Sequence, residues 1–211
     1  MGRDADSPKA GTEPAGWQAQ KSAATRKRIV EAAIRCFVEL GYAGTTTIAI
    51  AARAGLSRGA MLHHFPSKID VVRAAVGYLH EKRLKAFRRA LERGAPPDGD
   101  RVRQALEAYV GHVRHPLFVA FFELAVAART DRELAAILAP AHEAFEREWY
   151  RTAHEVFPDW RERGLKFELA LDLSRTMIEG MALGLLMHRD PGRDRRLLGD
   201  LEGRLRALLV G

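Results

Sequence analysis

Residues 44–68 read Gly-Thr-Thr-Thr-Ile-Ala-Ile-Ala-Ala-Arg-Ala-Gly-Leu-Ser-Arg-Gly-Ala-Met-Leu-His-His-Phe-Pro-Ser-Lys. The stretch divides into two short helices hinged at Gly55-Leu56 and closed by Pro66. The first begins at Thr46 or Thr47, whose hydroxyl accepts from an orphan backbone N–H, and it carries Ile48, Ile50, Ala51 and Ala54 as packing positions. Glycine enters the left-handed conformation without a Cβ clash, so the chain can reverse at Gly55 while Leu56 plugs the turn and Ser57 caps the next helix. This is a helix-turn-helix pattern. Its second helix opens Ser57-Arg58-Gly59-Ala60-Met61, a small-residue front that lets a backbone approach the wall of a DNA groove.

On the N-terminal side, residues 25–40 place Ile29, Ala32, Ala33, Cys36, Phe37 and Leu40 on one helical stripe, and Gly41 ends it. On the C-terminal side, Ser67-Lys68-Ile69-Asp70 has capping-box spacing and opens a fourth helix through Val72, Val76, Leu79, Phe87 and Leu91. Charge follows the same division. Residues 21–68 hold eight basic groups against Glu31 and Glu39, a surplus of six in a chain of 211 residues whose formal net charge is +7. A basic first third on a nearly neutral remainder suits a nucleic-acid-binding head on an ordinary body, although a charge run alone also describes a solvated surface.

From Thr25 to about Val76 the sequence resembles the DNA-binding domain of the TetR family of bacterial transcriptional regulators. The residues that carry the likeness are Leu40-Gly41-Tyr42, Thr-Thr-Thr-Ile-Ala-Ile-Ala at 45–51, Ala54-Gly55-Leu56-Ser57-Arg58-Gly59, and His63-His64-Phe65-Pro66-Ser67-Lys68. Two positions depart from the family pattern. Leu62 stands where a phosphate-touching tyrosine is usual, and Ala49 where an acidic residue often precedes Ile-Ala. The resemblance implies a recognition helix from Ser57 to His64 in the major groove of a double-stranded operator, with Arg58, Gly59, Ala60 and Met61 at its leading end. Arg58 can bridge O6 and N7 of a guanine, or touch only phosphate. His63 is expected toward the backbone or a base edge. Lys68 at a helix N-terminus, and Tyr42, Thr46 and Thr47 through their hydroxyls, are phosphate candidates, and Thr46 is equally a cap.

The remaining sequence reads as helices throughout, so the fold class expected is all-α with about nine helices. Residues 1–20, rich in Gly, Pro, Ala and charge, are expected to be a disordered tail, residues 21–70 the helix-turn-helix domain, and residues 71–211 a ligand-binding and dimerisation domain. The Pro-Gly-rich loop at 93–100 is the best internal boundary. Beyond it the expected helices run over 101–115, 117–129, from the Thr130-Asp131-Arg132-Glu133 capping box with an interruption near Pro140 to Phe157, over 163–188, and over 194–209. The N-terminus lacks an apolar segment, so a cytoplasmic protein without a membrane anchor is expected. Cys36, the single cysteine, reads as a small core residue or, with exposure, a redox sensor.

The resemblance also implies that the body binds a small apolar or amphipathic molecule and that its last helices pair with a second subunit. Residues 163–188 support pairing, being apolar at Leu165, Leu169, Leu173, Met177, Met181 and Leu185. Gly180 and Gly184, four apart, allow close approach of another helix or mere internal packing, and Leu201 and Leu205 extend the candidate dimer interface. Candidate ligand-pocket residues are Tyr109, His112, Phe118, Phe122, Trp149, Met177 and Met181, a composition that also fits an aromatic core. His112 and His115 at i and i+3 admit a shared metal or ordinary hydrogen-bonded roles, and no metal or cofactor is expected. No nucleophile elbow, phosphate-binding loop or dinucleotide glycine motif is present, which leaves an enzyme with a DNA-binding appendage the weakest reading. The expectation is a homodimeric regulator, a repressor released from a palindromic operator by a ligand. The alternative is a ligand-independent or co-repressed regulator or activator whose body serves dimerisation.

Overall fold

The computed structural model describes residues 15–92, 99–188 and 190–210. Among these residues there are ten α-helices and no strand: α1 Ala15–Gly44, α2 Thr47–Arg53, α3 Arg58–His64, α4 Lys68–Leu91, α5 Arg101–Val113, α6 Pro116–Ala128, α7 Arg132–Val156, α8 Pro158–Arg161, α9 Leu165–Met187 and α10 Pro191–Leu209. The additional element relative to the sequence reading is α8, a single turn started by Pro158. Residues 15–20, expected in the tail, are helical, and the rest of that tail lies outside the described residues.

Local chemistry sets the starts of α2, α3 and α4. Thr46 Oγ1 accepts from Ala49 N at 3.1 Å and Ser57 Oγ from Ala60 N at 3.1 Å, so each helix of the pair has one orphan donor satisfied by its own cap. Gly55 adopts φ 64° between them, and Leu56 packs against the core. Ser67 and Asp70 form the reciprocal capping box at the start of α4. Gly55→Val is expected to destabilise the head by about 1–3 kcal/mol, because a β-branched residue is disfavoured at positive φ. Open space surrounds the Gly55 Cβ direction, so the cost is conformational and not a clash. Circular dichroism and operator titration check this; wild-type affinity in the variant would show that the turn relaxes at no cost.

Ile29, Ala33, Cys36 and Phe37 of α1 pack with Ile50, Ala51, Met61, Phe65, Val72 and Val76. Cys36 is fully buried and burial pushes its thiol pKa up, as expected of a core residue. The same core continues into Ala120 and Leu124 of α6 and Leu134, Ile137 and Leu138 of α7, so apolar packing crosses residue 70 without a break. A second core joins Phe87 of α4 to Tyr109, Phe118, Phe145, Trp149, Phe167, Ile178, Leu201 and Leu205.

Three sequence expectations are corrected here. Ile48 is 62 % exposed, because the inner face of the seven-residue α2 is taken by Ile50 and Ala51 and Ile48 lies on the other side. Helix α7 runs through Pro140 without interruption, and its cap is Asp131, which accepts from Leu134 N at 2.9 Å. Pro140 is exposed and Ala136, whose carbonyl loses its partner, is not fully buried, so water can take that bond while Leu134 and Ile137 before it and Phe145 and Trp149 after it hold the helix in register. Leu201 and Leu205 are buried inside the single chain against α5 and α9 and so are not at a free surface. Helix α10 has one apolar stripe, and internal packing uses it.

Candidate nucleic-acid interface and the body behind it

The outward side of α3 carries Arg58, Gly59, Ala60 and His63, all exposed. Arg58 makes no hydrogen bond or ion pair among the described residues, which leaves its guanidinium free for a partner. Met61 is fully buried, correcting its place among the groove-facing residues: it shares a face with Phe65, four residues on, and both point into the head core. The lower end of α3 is tied down from α1. Arg26 Nη1 donates to the His64 carbonyl at 2.6 Å, and its guanidinium lies 4.1 Å from the Phe65 ring centroid. Thr46 is exposed and serves as the α2 cap, and Thr47 is half-buried at the first turn. The basic groups of α1 are in part internally paired, Lys27 with Glu31 at 3.9 Å, and Arg53 of α2 pairs with Glu39.

Tyr42 and Lys68 turn toward the body. The Tyr42 hydroxyl donates to Asp131 at the start of α7 at 3.0 Å, its backbone N–H donates to Glu123 of α6 at 2.7 Å, and Lys68 Nζ donates to the Tyr42 carbonyl at 2.5 Å while lying 3.9 Å from its ring. Burial, then the Asp131 carboxylate, pushes the Tyr42 phenol up to about 12, and burial draws the Lys68 ammonium down. The phosphate role expected of the Tyr42 hydroxyl is thereby replaced by a contact between head and body. Gly41, at φ 69° and ψ 171°, brings the chain against Glu123 so closely that a Cβ there would lie 2.9 Å from its Oε1.

In the body, the residues expected to line one pocket separate into three places. Tyr109 and Trp149 line a small apolar cavity of about 40 Å³ with Phe87 and Phe157. His112 lines a cleft of about 220 Å³ between α4, α5 and the start of α6, with Arg83. Phe118 and Phe122 line a third, of about 230 Å³, with Ala182 and Leu185 of α9. Met177 and Met181 are half-buried on α9 and belong to the lining of none of the three.

Arg83, absent from the sequence reading, is 2 % exposed. Its guanidinium lies 4.4 Å from the Phe121 ring centroid, 4.5 Å from Phe145 and 5.5 Å from Phe118, and its Nε donates to His112 Nε2 at 3.2 Å. Glu179 Oε1 is 3.9 Å from Arg83 Nη2, accepts from the Tyr109 hydroxyl at 2.8 Å and is 3.7 Å from Arg175. Burial, then Arg83, pulls His112 down to about 3 and His80 to about 4, so both imidazoles are neutral at neutral pH. The sequence does hold a signal for this cluster. His80 and Arg83 fall on the stripe of α4 that also carries Val76, Leu79 and Phe87. His115 does not join His112 at a metal, because its Nδ1 caps α6 by accepting from Leu117 N at 3.2 Å. Among the described residues no group of three His, Cys, Asp or Glu side chains is placed to hold a metal ion.

Comparison with known proteins agrees with the geometry of the head. Residues 29–75 match the family described as bacterial regulatory proteins, tetR family. The chain is 30 % identical over 187 residues to the HTH-type transcriptional regulator CymR of Pseudomonas putida, covering 85 % of this chain and 88 % of that one. The chain belongs to the tetR family. Similarity to the HTH-type transcriptional regulator TtgR, also of Pseudomonas putida, is 38 % over 108 residues, covering 51 % of this chain and 46 % of that one. The solved structure of Salmonella enterica GusR has the same fold, with a TM-score of 0.64 at 23 % identity over 89 % of this chain and 96 % of that one. This tetR-family chain is therefore a DNA-binding transcriptional regulator and not an enzyme.

Proposed function

We propose that the protein is a homodimeric, cytoplasmic repressor that holds a palindromic operator through two copies of α3 and lets go when a small apolar or amphipathic molecule enters the body. The observation that carries the dimer is α9, whose Leu165, Leu169, Leu173, Leu186 and Met187 are exposed on the single chain, Leu165 by 82 %. Gly180 leaves open space on the same exposed side. A two-fold pair also meets a demand of recognition, since one seven-residue helix reads few bases and two half-sites about 34–36 Å or a multiple apart double the contact. Gly184, which admits either close approach of another helix or internal packing, faces α10. A Cβ there would lie 3.3 Å from the end of the Arg193 side chain, which supports the internal reading for this glycine. No single helix among the described residues is long and apolar enough to cross a membrane.

Release has a physical route in α6. One end of this helix presents Phe118 and Phe121 to Arg83, and its other half carries Glu123, which holds the Tyr42 N–H and abuts Gly41. A molecule that shifts α6 therefore moves the support of the head. Its effect on DNA equals its differential affinity for the bound and released arrangements. An operator selected from a random duplex library, titrated by fluorescence anisotropy with sedimentation equilibrium alongside, tests the reading. One dimer per palindrome supports it, and tight binding by a monomer sinks it.

Arg58 is the residue of this reading that would choose a base. Arg58→Ala is expected to cost about 1–3 kcal/mol on the selected operator and to relax the preference at one position per half-site. Parallel titrations on a matched and a scrambled duplex at two salt concentrations check it. An equal loss on both duplexes would assign Arg58 to phosphate alone.

A further inference from the structure

We infer that the cleft between α4, α5 and the start of α6 binds a small organic carboxylate with an apolar tail, its carboxylate paired with Arg83 and its tail against Ala86, Ala108 and Leu117 of the cleft wall. This rests on the reading of the body as a ligand-binding unit and names the class of ligand. Burying a guanidinium is costly unless its donors are satisfied. Arg83 has five N–H donors, yet among the described residues its only hydrogen bond is the one from Nε to His112. Nη1 is buried with no partner, and the nearest carboxylate, Glu179, is 3.9 Å from Nη2 and is engaged by Tyr109 and Arg175. A guanidinium whose Nη1 has no partner and whose Nη2 has only a distant carboxylate can still take a carboxylate as acceptor.

Arg83 and His112 form part of the wall of the cleft, whose other walls include Ala86, Gly111 and Leu117. Its acidic rim residue, Glu107, is 3.9 Å from Arg103. Next to the cleft, and sharing Ala86, His115 and Leu117 with it, runs a surface groove that carries Arg35, Lys82, Lys85 and Arg89 against Glu31 and Glu39, four positive groups to two negative. Such a basic approach raises the local concentration of anions. The apolar part of the cleft wall, Ala86, Ala108 and Leu117, favours an apolar tail over a second charge. A phosphate dianion would need more than the one under-paired cation that Arg83 supplies.

The test is calorimetry on the full chain without DNA, using octanoate, 3-phenylpropionate, their uncharged amides and inorganic phosphate. Both acids are expected to bind, the amides at least tenfold more weakly, and phosphate not at all. Arg83→Gln should weaken the acids at least tenfold. Should that variant fail to fold, Gly111→Leu decides, because Gly111 is exposed, has open space at its Cβ and lines the cleft. It too should lower acid affinity at least tenfold. Acids and amides binding alike, no probe binding, phosphate binding as well as the acids, or full acid affinity in either folded variant would overturn the inference. Operator anisotropy with the same probes separates it from the release reading. Acids that bind through Arg83 but leave the operator occupied sink release alone, whereas release by the amides with no acid binding sinks this inference alone.

Discussion

Leu169→Glu combined with Leu173→Glu is expected to give a folded monomer that binds a full palindromic operator at least ~100-fold more weakly than wild type, a difference of about 2.7 kcal/mol. In the single chain these leucines are 48 % and 36 % exposed, so glutamate there meets water and costs the monomer little. In a dimer built on α9 the same carboxylates would be buried without partners, at several kcal/mol. Affinity for a half operator should change little, because α3 lies in a different part of the chain and each head still reads its own half-site. Sedimentation equilibrium, circular dichroism and anisotropy on full and half duplexes make the comparison. A variant that stays dimeric would move the partner face away from α9, and a variant that unfolds would show these leucines to be structural within the chain.

Gly41→Val is expected to loosen the head from the body. The φ of 69° with ψ of 171° at this residue is a conformation nearly restricted to glycine, costing about 1–3 kcal/mol for any other residue. Steric pressure adds to it, because the new Cβ would sit 2.9 Å from Glu123 Oε1, the oxygen that accepts from the Tyr42 N–H at 2.7 Å. Glu123 would have to withdraw and the Tyr42 bond would go with it. The melting temperature is expected to fall by several degrees, at about 2–4 °C per kcal/mol for a chain of this size, and operator affinity to fall as the heads lose their fixed spacing. Gly41→Ala should show the same direction with a smaller effect. Calorimetric melting and operator titration report both, and unchanged values for Gly41→Val would show that Glu123 does not hold the head.

The parts of the molecule legible in the chain are those settled within one turn of backbone. Thr46, Ser57 and the Ser67–Asp70 pair cap the helices they were expected to cap, and Gly55 takes the left-handed turn, because a cap or a turn depends on residues two to four apart. The TetR-like order of these local signals was enough for the family and the DNA-binding role, since each signal sits at a fixed spacing from the next along a single short stretch.

Packing settled the rest. A periodic stripe says that a helix has an apolar face, but the neighbour that covers it comes from far along the chain. That is why Met61 lies inside the head and Ile48 outside it, why Leu201 and Leu205 are used within the chain while Leu165 and Leu169 are not, and why Pro140 fails to break α7. Tyr42 reaches Asp131 across 89 positions, a pairing that no local pattern encodes. Arg83 is the clearest case. Its place on the apolar stripe of α4 points inward, but only the convergence of α5, α6, α7 and α9 removes it from water and leaves its Nη1 without an acceptor.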